Sequence, residues 1–167
     1  MAASLGVLVA GGAGARLSLG VPKALVRVGG LTLLERGLGT LAAVCDEIVV
    51  TAPAALALPL PEGLVAARRA HPVRRADDPA GSAGPLAGVV AGLSACPFAR
   101  ALVLGVDFPF MDPSTLEALL ARLGPHEAVV PAPEGVPQPL AAAYAPASRG
   151  ILAARLAAGE RALTVAV

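Results

Sequence analysis

The residues able to do chemistry in this 167-residue chain stand where short apolar runs end. After Leu5–Ala10 (LGVLVA) come Gly11-Gly12-Ala13-Gly14-Ala15-Arg16, then Pro22-Lys23-Ala24-Leu25. Glycines let a backbone turn tightly and aim N–H groups at a phosphate. Arg16 offers a planar fork to phosphate oxygens, and Lys23 adds a point charge. The chain holds 12 Arg and one Lys, so a lysine just past a glycine loop stands out from the composition. The loop therefore predicts phosphate binding by Ala10, Gly11, Gly12, Gly14 and Lys23, with Arg16 and Lys23 as catalytic cations. Asp107 follows six apolar residues, Ala101–Val106. A carboxylate there is costly without a partner, and Mg²⁺ on a substrate triphosphate suits it, because magnesium prefers hard oxygens. Asp77, in a turn before Pro79, is expected on the nucleoside or phosphate side, with Asp78 its rival. Thr51 ends a second apolar run and could hydrogen-bond the nucleoside. Gly84, Pro85, Leu86 and Gly88 allow close backbone approach to a base or ribose, and the same residues suit a helix entry with Pro85 in its first turn.

Those residues need a scaffold, and the pattern of the chain supplies one. Leu5–Ala10, Glu47–Thr51, Leu64–Ala67 or Val73–Ala76, Ala101–Val106, Ala128–Pro131, Leu140–Tyr144 and Leu163–Val167 read as strands. Thr32–Val44, Leu86–Ala95, a stretch from Asp112 to Leu123, and Ser148–Ala158 read as helices; Thr32/Glu35 and Ser114/Glu117 have capping-box spacing. Continuous apolar strands alternating with helices predict an α/β three-layer sandwich around a mostly parallel, Rossmann-like sheet. In such sheets ligands bind outside the carboxyl ends of the strands, here just after Ala10, Thr51, Ala76 and Val106. One domain over 1–167 is expected, with Pro53–Gly63 the one linker-like stretch.

Composition narrows the function classes. A net charge of +1 and aromatics limited to three Phe and one Tyr argue against nucleic acid. Cys45 and Cys96 are isolated and only His71 and His126 are present, which argues against a zinc site and fits a reduced, cytoplasmic compartment. The uncharged stretch 79–99 is broken by Pro79, Gly81, Gly84, Pro85, Gly88, Gly92 and Pro97, so it is not read as a membrane span. The amino terminus lacks the basic region of a secretion signal. Neither GxxxxGK[ST] nor GxGxxG occurs, which sets aside P-loop enzymes and most dinucleotide-dependent oxidoreductases.

AGGxxxR followed by PKAL resembles the nucleotidyltransferase superfamily, whose members transfer a nucleoside monophosphate from an NTP to an acceptor phosphate. Gly84-Pro85-Leu86-Ala87-Gly88 and Val106-Asp107-Phe108-Pro109-Phe110-Met111 resemble segments of the molybdenum cofactor guanylyltransferases, the MobA-like proteins. Gln138-Pro139-Leu140-Ala141-Ala142-Ala143-Tyr144 is similar to their later substrate-side strand, and Ala158-Gly159-Glu160-Arg161 to a helix end near their carboxyl terminus. The resemblance implies Mg²⁺ held by Asp107, GTP as donor, and molybdopterin as acceptor, bound by Gln138 and Pro139. It also implies transient contact with molybdenum-cofactor proteins. Arg68, Arg69, Arg74 and Arg75 read first as a solvated basic face, and second as an anionic-acceptor contact. The spacing from Arg16 to Lys23 and the Pro before Lys23 look more like sugar-phosphate nucleotidyltransferases. The chain is also expected to be short at its carboxyl end relative to the family. A transferase for another NTP and acceptor, or an inactive nucleotide-binding module, are therefore the alternatives.

Overall fold

The structure, a computed structural model, describes residues 3–11, 20–61, 63–66, 69–81 and 84–166. In chain order the elements are β1 (Ser4–Val9), β2 (Arg27–Val28), β3 (Leu31–Thr32), α1 (Leu33–Ala42), β4 (Glu47–Ala52), β5 (Gly63–Ala66), β6 (Arg69–Asp77), α2 (Pro85–Ser94), β7 (Arg100–Gly105), α3 (Pro113–Leu123), β8 (Ala128–Val129), β9 (Ala141–Tyr144), α4 (Pro146–Ala157) and α5 (Leu163–Ala166). Seven strands form one sheet in the order β5-β6-β4-β1-β7-β9-β8. The run β6-β4-β1-β7 is parallel throughout, whereas β5 and β9 run against their neighbours. The expected mostly parallel α/β sandwich is present.

Side-chain alternation makes the three layers. Leu8, Ala10, Ile48, Val50, Leu102 and Leu104 face α1 and α3, and the residues between them, Val7, Val9, Val49, Ala101 and Val103, face α2 and α4. Helix α1 begins where the sequence predicts. Thr32 Oγ1 accepts from the Glu35 amide at 3.1 Å, and the Thr32 amide donates to Glu35 Oε2 at 2.7 Å. A two-residue Gly29-Gly30 turn joins β2 to β3, and its φ values of 59° and 85° favour glycine.

Four expectations are corrected. Both candidates for the third strand are strands: β5 pairs antiparallel with the start of β6, and the rest of β6 pairs parallel with β4. The strand expected at Leu163–Val167 is a helix over its described residues, Leu163–Ala166 (α5), with Leu163 buried against α2 and α4; so short a run cannot separate the two by pattern, and Val167 lies outside the described residues. Helix α3 is capped one turn-step earlier than Ser114: Asp112 Oδ1 accepts from the Ser114 amide at 2.8 Å and Pro113 occupies the first helical position. The strand expected at Ala128–Pro131 stops at Val129, where pairing with β9 ends.

Helix α2 approaches the sheet closely because its inner face is small. A Cβ at Gly92 would run into Val7 and lie 3.1 Å from Thr51 Cγ2, whereas Gly39 on α1 has open space around it. Gly92→Ala is expected to cost about 1–3 kcal/mol by overpacking, and Gly39→Ala to add about 0.5–1 kcal/mol through helix propensity. Denaturant melts of the two variants should therefore move in opposite directions. A stabilised Gly92→Ala would show that this packing is loose.

Candidate functional site

Hydrogen bonds tie the carboxyl ends of the parallel strands into one rim. The Ala10 amide donates to Thr51 O at 2.8 Å, Asp78 to Ala52 O at 3.1 Å, and Val106 to Val9 O at 3.2 Å. The chain runs from β1 outward through β4 to β6, then returns through α2 to β7 on the other side of β1. In open α/β sheets such a reversal marks the ligand crevice, which places the candidate site at the carboxyl end of β1.

Lys23 and Asp107 meet at that rim, with Nζ 3.3 Å from Oδ2. Their backbones explain the meeting. Lys23 opens a 3₁₀ turn in which the Leu25 amide donates to Pro22 O at 2.9 Å, and the fully buried Ala24 pins the turn to the core. Asp107 lies two residues beyond β7, where the Phe108 amide donates back to Gly105 O at 3.2 Å. A Cβ at Gly105 would strike the Asp107 carboxylate, so glycine leaves that carboxylate its place. The pair keeps side-chain exposures of 34% and 46%, open enough to exchange its partner for a ligand.

The two neighbouring aspartates have different fates. Asp77 is turned outward, with Oδ1 accepting from Arg75 Nε at 2.7 Å. Asp78 is turned inward: a Cβ on Gly11 would lie 3.6 Å from its Oδ2, and one on Gly88 3.5 Å from its Oδ1. Asp78 Oδ1 is buried and has no hydrogen-bond partner among the described residues. Burial raises this carboxyl above its ordinary value, the Asp77 charge adds to the rise, and Arg75 opposes it. Thr51 is wholly buried beneath Gly88, so its hydroxyl is not presented to the crevice.

Gly84 caps α2 with φ at 96°, and a Cβ there would come within 3.0 Å of Arg161 O. Pro85 takes the first helical position and is exposed, whereas the Leu86 side chain is fully buried, leaving its backbone as the group near the helix start. Gln138 and Pro139 come to the rim because β9 is antiparallel: its beginning lies beside the end of β7, where the Gly105 amide donates to Leu140 O at 2.7 Å. Gln138 is half-buried, and Pro139 is buried with its carbonyl accepting from Tyr144 Oη at 2.9 Å. Gly12, Gly14, Arg16 and Arg68 lie outside the described residues.

Two features go beyond the sequence reading, which placed Arg75 in a basic face and gave Phe110 no role of its own. Arg75 donates to the carbonyls of Pro53 at 2.9 Å and Leu56 at 2.8 Å besides pairing with Asp77. The signal was available, since residues two apart on a strand share a face. Arg74 points to the opposite face, 3.8 Å from Glu47, so the expected basic cluster is divided. The Phe110 ring is 79% exposed beside Asp107, with the Arg36 guanidinium 5.7 Å from its centroid. No group of three His, Cys, Asp or Glu side chains among the described residues could hold a metal by itself. One carboxylate at the rim, with substrate phosphates completing the shell, suits the way magnesium binds nucleotides.

The strand order reversing at β1 and the helices on both faces define a Rossmann-like α/β protein. A model of the MobA-like NTP transferase domain matches residues 6–166, and the chain belongs to this family of nucleotidyltransferases. It is 38% identical over 141 residues to the probable molybdenum cofactor guanylyltransferase of Natronomonas pharaonis, covering 84% of this chain and 67% of that one. The molybdopterin-guanine dinucleotide biosynthesis protein A of Archaeoglobus fulgidus shares the fold, with a TM-score of 0.72 and 23% identity over 97% of this chain and 77% of that one. A Mycobacterium tuberculosis protein solved in complex with manganese shares it at a TM-score of 0.59 and 23% identity, over 91% of this chain and 75% of that one.

An open Lys–Asp pair contributes little to folding, about 0–1 kcal/mol. Lys23→Ala should therefore unfold within about 1 kcal/mol of the parent in urea. A loss above about 2 kcal/mol would mean that Lys23 serves the fold rather than a ligand.

Proposed function

We propose that this chain transfers GMP from Mg-GTP to the terminal phosphate of molybdopterin, releasing pyrophosphate. The observation that carries this reading is the meeting of the chain's one lysine with Asp107 at the switch point, on the same rim of the sheet as the inward carboxylate of Asp78. An acceptor phosphate oxygen attacks the α-phosphorus of GTP in line. The bond from that phosphorus to the α,β-bridging oxygen breaks, and pyrophosphate carries away the electron pair. No protein nucleophile is needed, because the acceptor's own phosphate oxygen makes the attack.

Lys23 neutralises charge building on the leaving phosphates, and Arg16 is assigned the same work. Bound Mg²⁺, held by Asp107, would supply charge neutralisation at the phosphates. Gly11, Gly12, Gly14, Ala10 and the start of α2 at Gly84, Pro85 and Leu86 lie along the GTP, with Gly88 beneath it. Asp78, rather than Asp77, accepts the N–H donors of the nucleoside. Gln138 and the backbone at Pro139 lie on the molybdopterin side. Release of the product to molybdenum-cofactor proteins and a cytoplasmic location belong to the same reading. No helix among the described residues is long and apolar enough to cross a membrane.

Calorimetry with GTP, CTP, UTP and ATP in Mg²⁺ should favour GTP, and Asp107→Ala should weaken the Mg²⁺-dependent binding of every nucleotide. Turnover of Lys23→Ala or Asp107→Ala should fall by about 10²–10³-fold. A preference for UTP or CTP would overturn the guanylyl assignment, and normal turnover in either variant would overturn that residue's role.

Donors on a ligand favour the ionised form of Asp78, so nucleotide affinity should weaken as pH falls through its raised pKa. The loss should begin at higher pH than an ordinary aspartate would give, and Asp78→Asn should flatten the profile. Because the folded-state pKa is raised, ionisation of Asp78 costs the free protein stability as pH rises through that value. Asp78→Asn should therefore bind nucleotide worse without melting earlier at neutral pH. A variant with the parent's pH profile would remove Asp78 from the site.

A further inference from the structure

The segment after β4 is held from one side by a single guanidinium. Arg75 Nη1 donates to Leu56 O at 2.8 Å, and Nη2 to Pro53 O at 2.9 Å and Ala54 O at 3.4 Å. Its Nε donates to Asp77 Oδ1 at 2.7 Å, which fixes the plane of the fork. The Leu56 amide closes a turn onto Pro53 O at 2.9 Å. The far end of the segment is anchored where Leu58 and Leu60 lean on the core under α1. The near end borders the crevice, since a Cβ on Gly11 would lie 3.3 Å from Pro53 Cδ.

This arrangement uses the carbonyls of Pro53, Ala54 and Leu56. Ala54 and Ala55 are exposed residues whose amides make no hydrogen bond among the described residues. Across Gly11 stands Asp78, an acceptor without a partner among those residues. The rim thus offers N–H donors on the turn and a carboxylate acceptor beside it.

We propose that Arg75, oriented by Asp77, is a positioning residue that locks the 53–56 turn with its amides outward and so selects nucleobases presenting a carbonyl next to an N–H. The inference rests on the nucleotide reading above. Guanine and uracil present that edge; adenine and cytosine present an amino group in place of the carbonyl. Asp77 then acts through Arg75 and touches no nucleotide. Lysine cannot substitute, because a point charge on a flexible stem cannot hold two carbonyls and a carboxylate in one plane.

The test uses the whole chain and the four NTPs, with calorimetry on the parent, Arg75→Ala, Arg75→Lys and Asp77→Asn. Arg75→Ala and Arg75→Lys should each lose about tenfold in affinity for the nucleotide that the parent prefers. The ratio of keto to amino bases should fall with it, while kcat at saturating nucleotide stays within about threefold. Asp77→Asn should show the same change, smaller. Hydrogen exchange in the ligand-free protein is independent of catalysis: the Leu56 amide should exchange faster in both Arg75 variants while amides of β1 and β7 stay protected. Parent-like base ratios in Arg75→Ala, or full rescue by lysine, overturn the proposal. A parent that prefers UTP, with the preference lost in Arg75→Ala, would overturn the guanylyl reading and leave this one standing. A parent that binds no nucleotide would overturn both.

Discussion

A carboxylate beside a packed core needs a partner, and the rim of the sheet holds two such groups in different states. Asp107 stands two residues beyond β7 and takes the chain's single lysine as its partner. Asp78, at the end of β6, has none among the described residues and is left beside two glycines with its pKa raised by burial. The first pair is exposed enough to be exchanged for a ligand at small cost. The second carboxylate is held in a state that a ligand's donors would relieve. Both conditions exist because four parallel strands end on one edge.

Small residues make that edge reachable. The core has few aromatic side chains, and α2 lies close on β1 through Gly88 and Gly92. Close packing by glycine brings backbone amides and buried oxygens within reach of one another, which larger residues would prevent. The Thr51 hydroxyl illustrates the limit: it is shut beneath α2 and exposes nothing.

Much of this was legible in the residues. The apolar runs ending at Ala10, Thr51 and Val106 placed three strand ends to within one residue, and the lone Lys23 pointed to a special position. The capping box at Thr32 held because its signal is local. What failed was what depends on neighbours far along the chain. Which of Asp77 and Asp78 turns inward is decided by strand pleat, and by Arg75 claiming Asp77. Leu163 lies in a run too short for its pattern to tell helix from strand, and it packs as part of a helix. The hairpin of β5 with β6 was hidden because two adjacent apolar segments read as alternatives, whereas pairing makes them partners.

The direction of β9 completes the logic of the site. Had β9 run parallel to β7, its beginning would lie at the opposite edge and Gln138 would be a strand's length from Asp107. Running antiparallel, it sets Gln138 and Leu140 against Gly105 on the flank away from β1. The crevice is thereby divided along β7. Glycines, Asp78 and the clamped turn line one side; Gln138 and the exposed Phe110 ring border the other. Lys23 and Asp107 stand on the dividing line, where an in-line transfer between two bound partners requires its charges to be.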